Sequence, residues 1–280
     1  MDKFEAKQVS RLPDYHIHTT LCKHAVGEVG DYKKEANVLG IPEICFTDHV
    51  PSTDGYDPQH RMPMEAFPVY KDMITALQGT DDLPRVLFGI EADYYEGCEY
   101  FLRDWLPYQG FDFVLGSVHF IDGWGFDNPE ERHVWDSVDV TATWRKYFEA
   151  VSKLADSGFF DAVGHLDLPK KFGYRPSQGE LKEMARPALD RIADAGMGME
   201  INTAGLRKPV GEMYPSPEVL SMALRRGIPI CFGSDAHSPA DVGSGFDLAL
   251  HLAKETGYTH YFKIRQREKR LVPLPGSGGA

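Results

Sequence analysis

Two histidines near the start of the chain, His16 and His18, flank one isoleucine, and His24 follows six residues later. On an extended strand, residues two apart point to the same face, so both imidazoles leave the backbone side by side. A solvated strand end would explain this pair if it stood alone. The chain repeats the arrangement, however, because further histidines and carboxylates follow other short apolar runs.

The remaining candidate metal ligands share that position at or near the end of an apolar run. They are His49, Glu91, His119, His165, Asp235 and His237. Imidazoles and carboxylates together bind zinc, iron or manganese. With the first three histidines the set has nine members, too many for one ion, and it fits two or three divalent first-row metal ions. Asp93 is the rival ligand to Glu91 on the same run.

Seven β-rich runs alternate with helical windows along the chain. The runs cover residues 15–18, 43–49, 85–94, 111–120, 161–167, 196–202 and 228–237. The helical windows cover residues 28–39, 65–79, 97–106, 138–157, 179–195, 216–226 and 246–256. Serial βα units with apolar strands predict a parallel sheet. The length of the chain favours a barrel related to the TIM type over an open sheet, although spacing alone does not separate the two. In such barrels the strand ends form one rim, where functional side chains gather.

Composition narrows the class of protein. The chain has 280 residues, 42% of them hydrophobic, and a net charge of −12, whereas a general nucleic-acid binder would present a basic face. No apolar run approaches the roughly 18–20 residues of a membrane span, and the polar N-terminus lacks the apolar core of a signal peptide. The four cysteines are far apart, which fits a reducing compartment. We therefore expect a cytoplasmic monomer or small homo-oligomer that acts on a small molecule and binds neither nucleic acid nor membrane.

Six stretches together resemble the PHP superfamily of metal-dependent phosphoesterases. In chain order they are HIHTTLCKH, FTDH, GIEADY, GSVHF, VGHLD and GSDAH, within residues 14–237. Two stretches, HIHTTLCKHA and EINTAGLRKPVGEMYPSPEVL, are similar to the histidinol-phosphatase branch of that superfamily. The resemblance implies an α/β fold, a distorted TIM-like (β/α)7 barrel in a single domain. We expect that domain to cover residues 1–272 and a flexible C-terminal tail to cover residues 273–280.

The resemblance also divides the nine ligands among three ions. The first ion would be bound by His16, His18, Glu91 and Asp235. The second would be bound by Glu91, His119 and His165, and the third by His24, His49 and His237. The implied reaction is hydrolysis of L-histidinol phosphate, in histidine biosynthesis, by a metal-bridging hydroxide. Glu91, Asp235, His165 and Arg207 are the expected catalytic residues.

Cationic side chains after the fifth and sixth runs are candidates for binding phosphate. Arg207 and Lys208 follow the sixth run, and a guanidinium there can donate two parallel hydrogen bonds to phosphate oxygens. The resemblance makes Arg207 the leading candidate. Lys170, with Lys171 beside it, and Arg175 follow the fifth run and would add positive charge, although lysines in pairs are more often solvated.

Three other functions stay open on the sequence alone. A PHP-type phosphoesterase could act on a nucleotide, a phosphotyrosine or another small phosphate ester. A metal-binding module without turnover is a further alternative, although no ligand of the set is missing. Amidohydrolases share the HxH pair and a late aspartate, but the set formed by His24, His49 and His237 favours the PHP interpretation.

Overall fold

The structure, a computed structural model, describes residues 12–51, 55–79 and 82–276. Its centre is a parallel sheet of seven strands, ordered β1-β2-β3-β4-β7-β8-β9. These strands are β1 (Asp14–Ile17), β2 (Glu43–Phe46), β3 (Arg85–Asp93), β4 (Phe113–Ser117), β7 (Ala162–Val163), β8 (Gly198–Asn202) and β9 (Ile230–Gly233). The first and last strands meet just beyond their ends, where the His18 amide donates to the Ala236 carbonyl at 3.0 Å. The sheet therefore nearly closes into the TIM-like barrel expected from the sequence, and that expectation is confirmed.

Helices cover the outside of the sheet between successive strands. They are α1 (Val29–Val38), α2 (Phe67–Gln78), α3 (Glu99–Trp105), α4 (Val140–Ser157), α5 (Gln178–Asp194), α6 (Pro217–Leu224) and α7 (Phe246–Thr256). Their ends carry the side chains that satisfy free backbone groups. Ser177 and Glu180 form a reciprocal capping box at the start of α5, and Gly158 ends α4 with a φ of 70°, which a residue with a side chain adopts at a cost.

Two antiparallel hairpins do not follow from the sequence patterns. One pairs β5 (Phe120–Ile121) with β6 (Trp124–Gly125), directly after β4, where the sequence predicts a single long strand over residues 111–120. The other pairs β10 (His260–Arg265) with β11 (Glu268–Pro273). Pro273 ends that strand and Leu274 is buried, so the expected tail does not begin at residue 273. Residues 277–280 lie outside the described residues.

The C-terminal hairpin closes the barrel at the end where the strands begin. Phe262 and Ile264 of β10 join a buried cluster with Tyr15 and Phe113, which lie near the starts of their strands. Gly198 permits this approach, because a Cβ there would lie 2.3 Å from the Phe262 ring. Because the hairpin fills the end where the strands begin, only the rim where the strands end is left open for a functional site among the described residues. No helix among the described residues is long and apolar enough to cross a membrane.

Candidate metal centre

The nine predicted ligands lie together at the rim where the strands end. His16 and Glu91 belong to β1 and β3, and the other seven lie in the segments that follow strands. A cavity of about 480 Å³ opens over them. Eight of the nine line it, namely His18, His24, His49, Glu91, His119, His165, Asp235 and His237. His16 lies beneath this surface and is fully buried.

The ligands expected for the first ion form a tight group. The Nε2 atoms of His16 and His18 lie 3.0 Å apart. Glu91 Oε2 lies 3.4 Å and 3.5 Å from these two nitrogens, and Asp235 Oδ1 lies 3.8 Å and 3.4 Å from them. Four ligand atoms thus surround one small volume.

The ligands expected for the second ion lie on the other side of Glu91. Glu91 Oε1 lies 2.9 Å from His165 Nε2 and 3.7 Å from His119 Nε2. These two nitrogens are 3.2 Å apart. Since Glu91 directs one carboxylate oxygen to each group, it has the geometry of a bridging ligand.

The third group, His24, His49 and His237, is also brought together. One ring nitrogen of each lies within 4.8 Å of the other two. The ring centroids of His24 and His237 are 4.5 Å apart. His49 also links this group to the first, because its Nδ1 atom lies 3.0 Å from Glu91 Oε2. All three predicted ligand groups are therefore present at one rim.

Hydrogen bonds behind the rings fix which nitrogen faces the cavity. His16 Nδ1 donates to Glu200 Oε1 at 2.8 Å, and His119 Nδ1 donates to Asp93 Oδ1 at 2.9 Å. Each bond places the ring proton on Nδ1, so Nε2 presents a lone pair. A carboxylate behind a histidine is the usual orienting partner of a metal ligand. Asp93 therefore orients a ligand in this arrangement rather than replacing Glu91.

Backbone carbonyls orient two rings of the third group in the same way. His24 Nδ1 donates to the Cys22 carbonyl at 2.7 Å, and His237 Nδ1 donates to the Asp235 carbonyl at 3.1 Å. Their Nε2 atoms are thereby left as acceptors. The sharp turn that brings Asp235 and His237 together includes a positive φ of 52° at Asp235, a strain that is found at functional sites.

Several buried atoms of these residues lack any hydrogen-bond partner in the described part of the chain. Glu91 Oε2, His49 Nδ1 and His237 Nε2 are among them, since Glu91 Oε2 and His49 Nδ1 lie 3.0 Å apart without hydrogen-bond geometry. Elsewhere in the centre, ring nitrogens of different histidines lie only about 3 Å apart, as at His16 and His18. Buried acceptors without donors are costly, and cations between them remove that cost. The donor set therefore fits divalent metal ions.

The electrostatics of the centre favour ionised carboxylates. Burial alone would raise the pKa of the Glu91 carboxyl, but His16, His49 and His119 outweigh it and hold that pKa well below its ordinary value. The same balance, with His16 first among the opposing groups, holds the pKa of Asp235 well below its ordinary value. Both side chains are therefore charged and able to bind cations.

Two histidines of the third group are kept neutral, as metal ligands must be. Burial lowers the pKa of His49 to about 4. Burial and the neighbouring His18 lower the pKa of His237 to about 3. His119 behaves differently: burial acts to lower its pKa, but Asp93 and Glu91 raise it to about 9, so a proton competes with a metal ion at this ring.

Arg207 is not among the described residues that line the cavity. Its Nη2 atom donates to the backbone carbonyls of Ser234 and Asp235 at 2.7 Å and 3.4 Å, and its Nε atom lies 3.2 Å from Asp241 Oδ1. Arg207 thus supports the loop after β9 from behind. Lys208, the next residue, does line the cavity.

The two adjacent lysines after β7 have different surroundings. Lys171 lines the cavity, and its Nζ atom lies 2.9 Å from Asp127 Oδ2. Lys170 is buried and donates to the Met213 carbonyl at 2.6 Å, with Asp167 Oδ1 at 3.0 Å.

Glu212 forms ion pairs with two of the candidates for binding phosphate, Lys170 and Arg175. Glu212 Oε1 lies 3.3 Å from Lys170 Nζ, and Arg175 donates to the other oxygen of Glu212. Neither Lys170 nor Arg175 is among the described residues that line the cavity. In this structure both side chains are paired with Glu212 instead, and their assignment as substrate-binding residues stays a prediction.

Glu200 is a site residue that the sequence reasoning did not assign. It lies on β8, and its second oxygen accepts from the His165 amide at 2.8 Å, so it holds two ligands at once. Gly233 makes room for it, since a Cβ there would lie 1.9 Å from Glu200 Oε1. The signal was present in the sequence, because Glu200 and Asn202 repeat the spacing of two residues seen at the other strand ends.

Comparison with known proteins agrees with the resemblance seen in the sequence. Residues 14–204 match the family described as PHP domain, and residues 217–254 match the family described as PHP-associated. A Deinococcus radiodurans protein named "Probable histidinol-phosphatase" is 43% identical over 250 residues, which cover 88% of this chain and 94% of the relative. The "Histidinol-phosphatase" of Bacillus subtilis is 30% identical over 85% of this chain and 97% of its own length.

A solved structure shares the fold. The histidinol phosphate phosphatase of Lactococcus lactis, determined in complex with zinc, L-histidinol and phosphate, superposes with a TM-score of 0.79. The match covers 93% of this chain and 99% of the other. At 22% identity, this likeness supports the barrel architecture alone.

Proposed function

The chain belongs to the PHP domain family, and from that membership we propose that it is a metal-dependent histidinol-phosphatase. The reaction is hydrolysis of L-histidinol phosphate to L-histidinol and inorganic phosphate. The observation that carries this proposal is the convergence of nine ligands at one cavity, with Glu91 between two groups of facing nitrogens. The substrate assignment is supported by the relative that is 43% identical and by the Bacillus subtilis enzyme.

The ligand groups suggest how metal ions are held. We propose that His16, His18 and Asp235 bind one ion, that His119 and His165 bind a second, and that Glu91 contributes to both. His24, His49 and His237 would bind a third. Zinc, iron and manganese all suit these ligands, and the related Lactococcus lactis structure contains zinc. When bound, such ions lower the pKa of water and offset the charge of a phosphoryl group.

The protein's own side chains supply charge and orientation. Lys171 and Lys208 line the cavity and would attract a phosphate ester, while the centre's carboxylates would bind the cations. Glu200 and Asp93 hold His16 and His119 with Nε2 directed inward. Arg207 would act indirectly, by holding the backbone that carries Asp235.

We further propose that the barrel with its C-terminal hairpin forms a single domain. The hairpin supports this, because Phe262 and Ile264 are part of the barrel's buried interior. We expect a cytoplasmic monomer or small homo-oligomer. The four buried, unpaired cysteines fit a reducing environment.

The test is phosphate release by the purified, metal-loaded protein from L-histidinol phosphate, p-nitrophenyl phosphate and a dinucleotide. We expect L-histidinol phosphate to be hydrolysed faster by orders of magnitude. His16→Ala should abolish the activity. His251→Ala is the matched control, because His251 is an exposed histidine of α7 outside the nine-ligand set. A preference for another ester would refute the substrate, and full activity of His16→Ala would refute the metal centre.

A further inference from the structure

A buried carboxylate behind His119 receives hydrogen bonds from three side chains. Asp93, the last residue of β3, is fully buried. Its Oδ1 atom accepts from His119 Nδ1 at 2.9 Å. Its Oδ2 atom accepts from the Tyr56 hydroxyl at 2.9 Å and from Arg61 Nη2. Three hydrogen bonds thus hold this carboxylate in place.

The three donors come from two different segments. Tyr56 and Arg61 lie between β2 and α2, whereas His119 lies between β4 and β5. Asp93 therefore links the long segment after β2 to a predicted metal ligand in the segment after β4. The link is made without exposing charge, since Arg61 is 2% exposed.

Aromatic rings hold the donors in place. The Tyr56 ring stacks on Tyr95 with a centroid distance of 3.7 Å and an interplanar angle of 7°. It also lies 4.8 Å from the ring of Phe120, the residue next to His119. The Arg61 guanidinium lies over the same Tyr56 ring, 4.9 Å from its centroid. Aromatic packing thus fixes the Tyr56 hydroxyl and the Arg61 guanidinium where they donate to Asp93.

A buried guanidinium is costly to desolvate unless it has a specific partner. Arg61 donates to Asp93 through Nη2, its Nε atom lies 3.5 Å from Asp57 Oδ2 in an ion pair, and its Nη1 atom has no hydrogen-bond partner among the described residues. Because Tyr56 and Arg61 both donate to Oδ2, they fix the orientation of the carboxylate, and Asp93 presents Oδ1 to the His119 ring proton.

We propose that Arg61 and Tyr56 are positioning residues, which act through Asp93 to fix the His119 ring and so set the metal affinity of the group formed with Glu91 and His165. The inference rests on the metal dependence of the proposed function and extends it to the segment after β2. Removing an orienting partner behind a metal-binding histidine costs about 10–100-fold in metal affinity. The same loss is expected here, confined to one ion.

The experiment measures zinc affinity of the full chain by competition with a chelator and metal content by elemental analysis. The variants are Arg61→Met, Arg61→Lys and Tyr56→Phe. Arg61→Met should weaken binding of one ion by about 10–100-fold, Tyr56→Phe by less, and Arg61→Lys should recover part of the loss. The visible spectrum of the cobalt-substituted protein should change in Arg61→Met, because the geometry at His119 changes.

Arg267→Met is the matched control. Arg267 Nε lies 3.1 Å from both oxygens of Asp161, and Arg267 lies in the turn of the C-terminal hairpin, at the opposite end of the barrel. This change removes an arginine–aspartate pair without touching the metal centre, so zinc affinity should stay at the wild-type value.

Two results would overturn the inference. One is zinc affinity within about twofold of the wild type in both Arg61→Met and Tyr56→Phe, well below the expected loss. The other is an equal loss in Arg267→Met. If Arg61→Met does not fold, Tyr56→Phe decides, because it removes a single hydroxyl. Failure of the proposed function would show separately, as wild-type protein that binds zinc but does not hydrolyse L-histidinol phosphate.

Discussion

Gly233, the last residue of β9, is the position where one methyl group should disturb the metal centre most. A Cβ built on it would lie 1.9 Å from Glu200 Oε1 and 2.6 Å from the Cβ of His16. Glu200 Oε1 is the atom that accepts the His16 ring proton. Gly233→Ala therefore places a methyl group too close to both residues of the hydrogen-bonded pair Glu200–His16, in which Glu200 orients the His16 ring.

The size of the effect follows from these distances. The nearer contact is about 1.5 Å shorter than the 3.4 Å at which ordinary contact begins, so Glu200 must move. Overpacking of a buried site costs about 1–3 kcal/mol in the free energy of unfolding. Loss of the orienting bond should also cost about 10–100-fold in metal affinity. That loss corresponds to about 1.4–2.7 kcal/mol of binding free energy.

The assay combines urea unfolding of the metal-free protein with zinc affinity and phosphate release. Gly179→Ala is the control. Gly179 lies in the first turn of α5, where a Cβ would have no described atom within 4 Å, and alanine there should be neutral or stabilising by up to about 1 kcal/mol. Wild-type zinc affinity in Gly233→Ala would refute the reasoning, because it would show that the Glu200–His16 bond does not support metal binding.

Three further predictions concern other parts of the site. Arg207→Ala should lower metal content and kcat more than it raises KM, because Arg207 holds the backbone after β9; a raised KM at full metal content would instead indicate direct phosphate contact. In metal-free protein, the pKa of His119 is raised to about 9, which stabilises the folded state. This stabilisation is complete below the unfolded pKa of about 6.5 and is lost as the pH rises through 9. Urea midpoints should therefore fall over that pH interval, and a flat profile would contradict this prediction. Lys170→Met should cost about 3–5 kcal/mol in unfolding free energy because it leaves Asp167 buried without its partner. Lys171→Met should instead raise KM with little effect on stability, and equal unfolding losses in the two lysine variants would argue against their separate roles.

The convergence of the predicted ligands was predictable because their geometry is local. Residues two apart on a strand share a face, and parallel strands end at one rim, so positions such as His16, His18 and Asp235 follow from spacing. The helices were predictable for similar reasons: each predicted window overlaps an observed helix, and α7 (Phe246–Thr256) has the predicted bounds. Periodicity and end signals such as Gly158 are properties of neighbouring residues.

The direction of individual charged side chains was not predictable. Lys170 and Lys171 are adjacent in the 3-10 turn Leu168–Phe172, in which consecutive residues point about 120° apart. One is therefore buried against Asp167 while the other reaches the cavity. Arg207 likewise turns to backbone carbonyls that lie 27 and 28 residues further along the chain. Such partners are set by tertiary packing, which spacing does not encode.

The C-terminal hairpin was missed for a related reason. Its inward-facing residues, including Phe262 and Ile264, alternate with charged residues over a short stretch after the last predicted helix. That pattern alone does not predict a hairpin. The hairpin is stabilised by burial of these residues in the end of the barrel where the strands begin, which is a tertiary contact. Glu200 was missed as an orienting residue because its partners are distant in the chain: His16 lies on β1 and His165 follows β7.

Phosphate release from L-histidinol phosphate during stepwise return of zinc to chelated protein tests the central claim most directly. The rate and the number of ions per chain are measured on the same samples. We predict no release from the chelated protein and a rate that rises to its maximum at two or three ions per chain. Release that persists unchanged after complete metal removal would contradict the assignment of this nine-ligand centre as the site of hydrolysis.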